Sequence, residues 1–232
     1  MEEIESGALY LVATPIGNLG DISYRAVHIL QNVDLIASED TRKSAVLLNH
    51  YGIKNTLSSY HSYNLKKETP RLVSKLLAGK SVALISDAGT PGISDPGYHL
   101  VRSCLDEHIR VVPIPGASAF LTALTASGMP MHSFVFEGFL PVKKGRKTRL
   151  QKLESEERTI IFYESPHRIQ KTVLQLHAAW GNRGCVMGRE LTKKFEEFFR
   201  GNFESLLKHL GKNKVKGEIV LIVQGKETQK RR

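Results

Sequence analysis

Short apolar runs alternate with segments of helical periodicity along the first half of the chain. The predicted strands lie at 8–13, 33–37, 82–85 and 110–114, with a weaker one at 57–60. The predicted helices lie at 23–31, 41–51, 70–78 and 98–107, the third with Thr69 as its cap and Pro70 in its first turn. Strands that alternate with helices favour an α/β fold with a mostly parallel sheet.

A cluster of breaking residues at 113–116 marks a predicted boundary. We expect an N-terminal α/β domain at 1–115 and a C-terminal basic α/β domain at 116–232, with a disordered tail at 226–232. In the second domain, the predicted strands are 134–137, 159–163, 185–189 and 218–223, and the predicted helices are 117–127, 147–154, 167–179 and 203–209. The cleft between two such domains is the default place for a ligand.

The composition favours a cytoplasmic protein that does not span a membrane. No apolar run approaches the roughly 20 residues that a membrane span requires, and the acidic N-terminus is unlike a signal peptide. Cys104 and Cys185 are the only cysteines, so a disulfide framework is not expected. The nine histidines show no metal-ligand spacing, and we predict no metal site.

The net charge of +10 is carried entirely by the second half of the chain. Residues 1–115 hold 11 Lys and Arg against 12 Asp and Glu, whereas residues 116–232 hold 22 against 11. Basic residues can simply keep a surface solvated, but that explanation does not account for the asymmetry. A polyanionic partner such as nucleic acid is favoured for the second half.

Three loops that follow predicted strands have unusual composition, at 14–21, 86–97 and 115–119. Neither the GxGxxG dinucleotide fingerprint nor a P-loop occurs in them. Glycine and proline make the second loop stiff and shaped, which suits a ligand site. Asp87 is the ligand-facing candidate there, whereas Asp95 with Pro96 is predicted to begin the next helix.

The second half also contains a strongly cationic loop. We predict that phosphate groups of RNA are bound by Lys143, Lys144, Arg146, Lys147, Arg149 and Arg168. The nearby aromatic residues Phe136, Phe139 and Tyr163 are either strand core residues or stacking partners for an unpaired base.

Seven sequence motifs, which occur in the same order as in a known protein family, indicate a resemblance over about residues 8–225. They are LYLVATPIGNLGDIS (9–23), ASEDTR (37–42), SDAGTPGISDPG (86–97), PIPGASA (113–119), EGFLP (137–141), FYESPHR (162–168) and RELTKKFEE (189–197). Together they resemble the 16S rRNA cytidine 2′-O-methyltransferases, a family of the tetrapyrrole methylase-like (class III) methyltransferases. The resemblance implies two α/β domains with S-adenosylmethionine between them, a homodimer, and methylation of a cytidine ribose in the decoding region of 16S rRNA in the small ribosomal subunit.

The resemblance also implies the residues that hold the cofactor. These are Pro15, Ile16, Gly17, Asp87, Gly89, Thr90, Pro91, Ser118, Ala119, Tyr163, Leu191 and Thr192. The family does not use the Rossmann fingerprint, which accounts for its absence here. The segment 60–64 departs from the family pattern, so no role is carried over to His61 or Asn64.

A ribose hydroxyl is a weak nucleophile, and a positioned base would help it to lose its proton. The candidates are Glu164, Glu190 and Lys193, with His167 in the same motif loops. Glu164 and Glu190 have the alternative of pairing with Arg168 or Arg189 as scaffold. Two other functions stay open: a tetrapyrrole methyltransferase, which the positive charge disfavours, and a non-enzymatic RNA-binding protein, which would not need the shaped loops.

Overall fold

The computed structural model describes residues 3–212 and 215–227, and its contacts divide the chain into two compact units, Met1–Ser118 and Ala119–Arg232. The strands of the first unit are β1 (Leu9–Val12), β2 (Leu35–Ser38), β3 (Leu57–Ser59), β4 (Val82–Ile85) and β5 (Val111–Ile114). Its helices are α1 (Tyr24–Asn32), α2 (Thr41–His50), α3 (Leu65–Leu77) and α4 (Gly97–Asp106). The independence of two domains split near residue 115 stays a prediction.

The first sheet has the order β3-β2-β4-β1-β5, and every neighbouring pair is parallel. This confirms the parallel α/β arrangement expected from the alternation of strands and helices. All residues of β2 and β4 are buried, because helices cover both faces of a parallel sheet. Two apolar clusters, one on each face, form the core of this unit.

The predicted start of α3 was wrong. The helix begins at Leu65 rather than Pro70, so Thr69 lies inside the helix, where its hydroxyl is 3.0 Å from that of Tyr60. The carbonyl of Asn64 accepts the N–H groups of Lys67 and Glu68 and starts the helix upstream. Pro70 is tolerated at the sixth helical position because it removes only one hydrogen bond near the helix start.

The second unit contains a mixed sheet. Its strands are β6 (Phe134–Phe139), β7 (Thr159–Glu164), β8 (Gly184–Arg189), β9 (Glu197–Asn202) and β10 (Ile219–Val223), in the order β6-β7-β10-β8-β9. Its helices are α5 (Ala119–Ser127), α6 (Arg146–Glu154), α7 (Ile169–Trp180) and α8 (Phe203–Lys212). Strands β6 and β7 are parallel, and the other neighbouring pairs are antiparallel.

Sequence analysis missed β9, which pairs with β8 at one edge of this sheet. Its residues are partly exposed and include two charged side chains, so the strand lacks the apolar run that marks a buried strand. At the other end of the chain, the Lys226 N–H donates to the carbonyl of Glu156 at 2.6 Å. Most of the predicted disordered tail, 228–232, lies outside the described residues. Over the described ranges, no helix is both long and apolar enough to cross a membrane.

Candidate active site

The loops that leave β1 and β4 are joined at the carboxyl edge of the first sheet, where parallel α/β sheets bind ligands. The Thr14 N–H donates to the carbonyl of Gly89 at 2.9 Å, and the Gly89 N–H donates to the carbonyl of Thr14 at 3.0 Å. The Thr14 hydroxyl also donates to the carbonyl of Ser86 at 3.2 Å. The predicted cofactor residues of these two loops are thereby held close together.

The loop after β5 joins the same cluster. The Thr90 hydroxyl donates to the carbonyl of Ala117 at 3.2 Å, which ties the β4 and β5 loops together. Gly89 has a φ of +82°, a conformation that favours glycine, and a Cβ there would lie 3.4 Å from Ile16. A Cβ on Gly116 would lie 2.9 Å from that of Ala13, so the close approach of β1 and the β5 loop requires glycine.

The carboxylate of Asp87 is held by the loop that follows β2. It accepts hydrogen bonds from the Asp40 N–H at 3.0 Å and from the Lys43 ammonium at 2.6 Å. The bond to Asp87 raises the pKa of Lys43. Burial raises the pKa of Glu39 beside them, and the Asp87 and Asp95 carboxylates add to the effect. Sequence analysis assigned no role to Glu39, Asp40 or Lys43, although ASEDTR directly follows a strand at this edge.

Asp95 organises the turn that precedes α4. Its carboxylate accepts the N–H groups of Gly92 and Gly97, each at 2.8 Å. Helix α4 begins at Gly97 with Pro96 as its N-cap, which is one residue after the predicted first turn at Pro96 and one residue before the predicted helical pattern at 98–107. The Asp95 side chain is therefore engaged within its own loop, whereas Asp87 is held by another segment of the chain.

In the second unit, Glu164 is a buried structural carboxylate at the end of β7. Only 2% of it is exposed, and it accepts hydrogen bonds from the Ser165 N–H at 2.8 Å, Arg168 at 2.7 Å and the Thr172 hydroxyl at 2.6 Å. Thr172 in turn accepts a hydrogen bond from Arg146 at 2.7 Å. With these partners, Glu164 fits the scaffold alternative rather than the predicted base.

The prediction that Arg146 contacts RNA was wrong, because the side chain lies inside the second unit. It is 8% exposed, and its guanidinium also donates to Gln175 and to the carbonyl of Pro141. Two other predicted contacts are engaged in ion pairs, Arg149 with Glu137 and Arg168 with Glu164. Three predicted cations are exposed, and no ion pair is found for them in the described part of the chain: Lys143, Lys144 and Lys147.

Glu190 and Lys193 form an ion pair in the loop between β8 and β9. The Lys193 ammonium donates to Glu190 and to Glu218, both at 2.9 Å, and Glu190 also accepts the Glu218 N–H at 3.0 Å. Burial acts to raise the pKa of Glu190, but the Glu218 N–H and the Lys193 ammonium outweigh it and lower that pKa. For Lys193, burial acts against charge, but the two carboxylates raise its pKa overall. Both groups are therefore charged at neutral pH.

The backbone of this loop is strained at two residues that are not glycine. Glu190 has a φ of 50° and Thr192 a φ of 65°, which is unfavourable for a β-branched residue. The Thr192 hydroxyl is buried and finds no hydrogen-bond partner among the described residues. Strain and an unpartnered polar atom together are typical of a ligand site. Both features occur at Thr192, which, like its neighbour Leu191, is one of the residues predicted to hold the cofactor.

Tyr163 belongs to an aromatic cluster on β6 and β7. Its ring centroid lies 5.1 Å from that of Phe136 and 5.6 Å from that of Phe139, and Phe120 stacks on Phe136 at 4.5 Å. Burial raises the pKa of Tyr163. Phe136 is thus a packed residue, the first of the two alternatives for these aromatic side chains, whereas Phe139 is exposed.

Sequence comparison identifies the family. The sequence profile of the tetrapyrrole (corrin/porphyrin) methylases matches residues 8–207. The ribosomal RNA small subunit methyltransferase I of Pasteurella multocida (strain Pm70) is 54% identical over 228 residues, which cover 97% of this chain and 81% of that protein. The protein of the same name from Haemophilus influenzae is 52% identical, over 95% of this chain and 80% of its own length. The chain belongs to the ribosomal RNA small subunit methyltransferase I family of tetrapyrrole methylases.

Solved structures agree with this family in fold. A diphthine synthase aligns with a TM-score of 0.75 at 14% identity, over 96% of this chain and 91% of that one. A uroporphyrin-III C-methyltransferase from Thermus thermophilus, complexed with S-adenosylhomocysteine, aligns with a TM-score of 0.67 at 16% identity, over 94% and 97%. The two α/β sheets are therefore those of a class III methyltransferase, and family membership makes the chain a methyltransferase.

Proposed function

We propose that this protein uses S-adenosylmethionine to methylate the ribose 2′-hydroxyl of a cytidine in the decoding region of 16S rRNA. The observation that carries the proposal is the identity of about half of all residues, across almost the whole chain, to proteins named ribosomal RNA small subunit methyltransferase I. The positive charge of the second half supports an RNA substrate over a tetrapyrrole, which needs less cationic surface.

The residues present fit the cofactor. In the first unit, the predicted contacts Pro15, Ile16, Gly17, Gly89, Thr90 and Pro91 lie on the joined loops at the edge of the parallel sheet. In the second, the unpartnered Thr192 hydroxyl offers a hydrogen-bonding group in a strained loop. The remaining proposed contacts are Asp87, Ser118, Ala119, Tyr163 and Leu191.

The protein would contribute alignment more than acid–base chemistry. When bound, S-adenosylmethionine supplies a methyl group already activated on a sulfonium. Holding the hydroxyl in line with that methyl group accounts for up to about 7–11 kcal/mol of barrier reduction. Transfer would leave sulfur with the electron pair of the broken S–C bond, as a thioether, so only the proton displaced by the new O–C bond would need an acceptor, either a base of this chain or water.

Glu190 is the base that we propose among the three candidates. It is an ionised carboxylate at neutral pH, whereas Lys193 is held protonated by Glu190 and Glu218 and cannot accept a proton. Lys193 would then position Glu190. We assign Glu164 the scaffold alternative instead, because it is buried and accepts three hydrogen bonds.

We further propose a homodimer, as the resemblance implies, and a cytoplasmic location, as the composition favours. Sedimentation velocity of the purified protein tests the dimer, and a single species with the mass of one chain would contradict it. Cell fractionation tests the location, and recovery with membranes would argue against the cytoplasm.

Two measurements test the activity. Calorimetric titration with S-adenosylmethionine should show binding, and its absence would contradict every methyltransferase reading. Transfer of a tritiated methyl group should then be assayed on small ribosomal subunits, free 16S rRNA and a tetrapyrrole mixture. We expect label only in RNA, as a 2′-O-methylcytidine. Label in the tetrapyrrole fraction alone would overturn the proposed substrate.

Asp87 provides a directed test of the cofactor site. We expect Asp87→Ala to weaken S-adenosylmethionine binding by roughly tenfold or more, because its carboxylate orders the β2 and β4 loops through Asp40 and Lys43. Asp106→Ala removes an exposed carboxylate of the same unit and serves as the matched control. Equal affinities of the two variants would remove Asp87 from the proposed site.

A further inference from the structure

The end of β6 combines an irregularity in strand pairing with an exposed aromatic ring. The register of β6 against β7 shifts between Phe136 and Gly138, and Gly138 has a φ of +65°. Bulges change the direction of side chains at strand ends and are frequent beside active sites. The next residue, Phe139, is 55% exposed, although it lies within a strand.

Phe139 is nevertheless anchored. Its ring lies 5.6 Å from that of Tyr163, which contacts Phe136, and Phe136 stacks on Phe120. The following residue, Leu140, is buried, and its carbonyl accepts a hydrogen bond from Arg168. A ring held at its base but open over more than half its surface is suited to stack on a flat partner.

The chain that follows this ring is cationic. The exposed lysines Lys143, Lys144 and Lys147 follow within eight residues, and no ion pair is found for them across residues 3–212 and 215–227. Val142, which precedes the first of these lysines in the chain, is also exposed. An anchored aromatic ring followed within eight residues by exposed lysines is a combination suited to single-stranded nucleic acid, with rings stacking on bases and cations contacting phosphates.

We propose that Phe139 stacks on an unpaired nucleobase of the substrate RNA while Lys143, Lys144 and Lys147 contact its backbone. This inference rests on the proposed function and adds to it the part of the surface that receives the RNA. Charge complementarity selects RNA as the occupant, because its phosphates carry the negative charge that the three exposed lysines can neutralise.

Phe139→Ala should weaken the binding of 16S rRNA by roughly 5- to 100-fold, the range for loss of one base–aromatic stack. Phe139→Trp should restore affinity, because the larger ring also stacks. The matched control is Leu174→Ala, which removes an exposed apolar side chain from α7 of the same unit. Affinity is measured by fluorescence anisotropy with labelled RNA at several salt concentrations.

The salt dependence separates stacking from charge. Phe139→Ala should keep the wild-type slope of log affinity against log salt, because no phosphate contact is lost. A variant with Lys143, Lys144 and Lys147 changed to Ala should have a shallower slope. A reduced slope in Phe139→Ala would overturn the stacking role.

Other outcomes also overturn the inference. Unchanged RNA affinity in Phe139→Ala would do so, as would a changed oligomeric state in sedimentation, which would assign the ring to an interface between copies of the chain. An equal loss of S-adenosylmethionine binding would assign it to the cofactor. If wild-type protein neither binds nor methylates the RNA, the proposed function itself fails; if wild-type protein does both and Phe139→Ala matches it, only this inference fails.

Discussion

Replacing Glu164 by glutamine should destabilise the second unit without removing a catalytic group. The carboxylate accepts three hydrogen bonds inside the protein, from Ser165, Arg168 and Thr172. Glutamine can keep the two bonds at one oxygen. At the other position, an NH2 group would replace the oxygen that accepts the Thr172 hydroxyl, so that hydroxyl would lose its acceptor. The Thr172 oxygen already accepts a hydrogen bond from Arg146 and would face a second donor. The negative charge that offsets the two arginines would also be lost.

The expected cost follows from these contacts. Removing one partner of a buried ion pair costs about 3–5 kcal/mol, and glutamine retains the shape and part of the bonding. We therefore expect a loss of about 2–3 kcal/mol in the free energy of unfolding. With a urea m-value of about 2 kcal/mol/M, the midpoint should fall by about 1–1.5 M.

Urea unfolding followed by circular dichroism measures this change. Asp106→Asn is the control, because it removes a charge from an exposed pair with Arg102 and should change stability by less than about 0.5 kcal/mol. Methyl transfer by Glu164→Gln, assayed well below its unfolding midpoint, should stay within a few-fold of wild type. A loss of stability below 1 kcal/mol would refute the structural argument. A rate loss of about 100-fold or more with an unchanged midpoint would show that Glu164 is the base.

Two further predictions concern charge. Changing the exposed lysines Lys143, Lys144 and Lys147 together to Ala should weaken RNA binding at least tenfold at low salt while S-adenosylmethionine binding, measured by calorimetry, is unchanged; equal loss of both would indicate misfolding. Glu39→Gln should raise the melting temperature at pH 7, because burial and the nearby carboxylates raise the pKa of Glu39 above its ordinary value of 4.5. With a raised pKa, the Glu39 side chain leaves the folded state at full stability below about pH 4.5 and destabilises it as pH rises through the folded-state pKa. The advantage of glutamine should therefore vanish near pH 4. Thermal unfolding at both pH values checks this, and an advantage that persists at pH 4 would contradict the electrostatic cause.

The parallel sheet of the first unit could be predicted because its signals are local. Strands buried on both faces appear as continuous apolar runs, and the helices between them show their own periodicity. Two errors in secondary structure arose where the local signal was weak or misleading. A proline near a helix start looked like its first residue, and the half-exposed edge strand β9 carried no apolar run.

The sequence predicted which loops form the candidate site but not the contacts that hold these loops in place. The glycine- and proline-rich segments after β1, β4 and β5 were recognised from composition, and their placement at one edge follows from parallel strands. The partners of Asp87, Lys43 and Asp40, lie 44 and 47 residues earlier in the chain, which no spacing in the β4 loop reveals. The strained φ at Thr192 likewise depends on how its loop is held at both ends.

The sequence by itself determined the order of strands and helices in the first unit, the charge asymmetry and the family, since each depends on residue types and their spacing. Tertiary structure alone decided which charges are available for binding. In the run at 143–149, five cations look equivalent, yet Arg146 is buried against Thr172 and Arg149 pairs with Glu137, while the three lysines stay exposed. The difference is physical: long-range packing sets burial and partners, and these decide whether a charge serves the fold or a ligand.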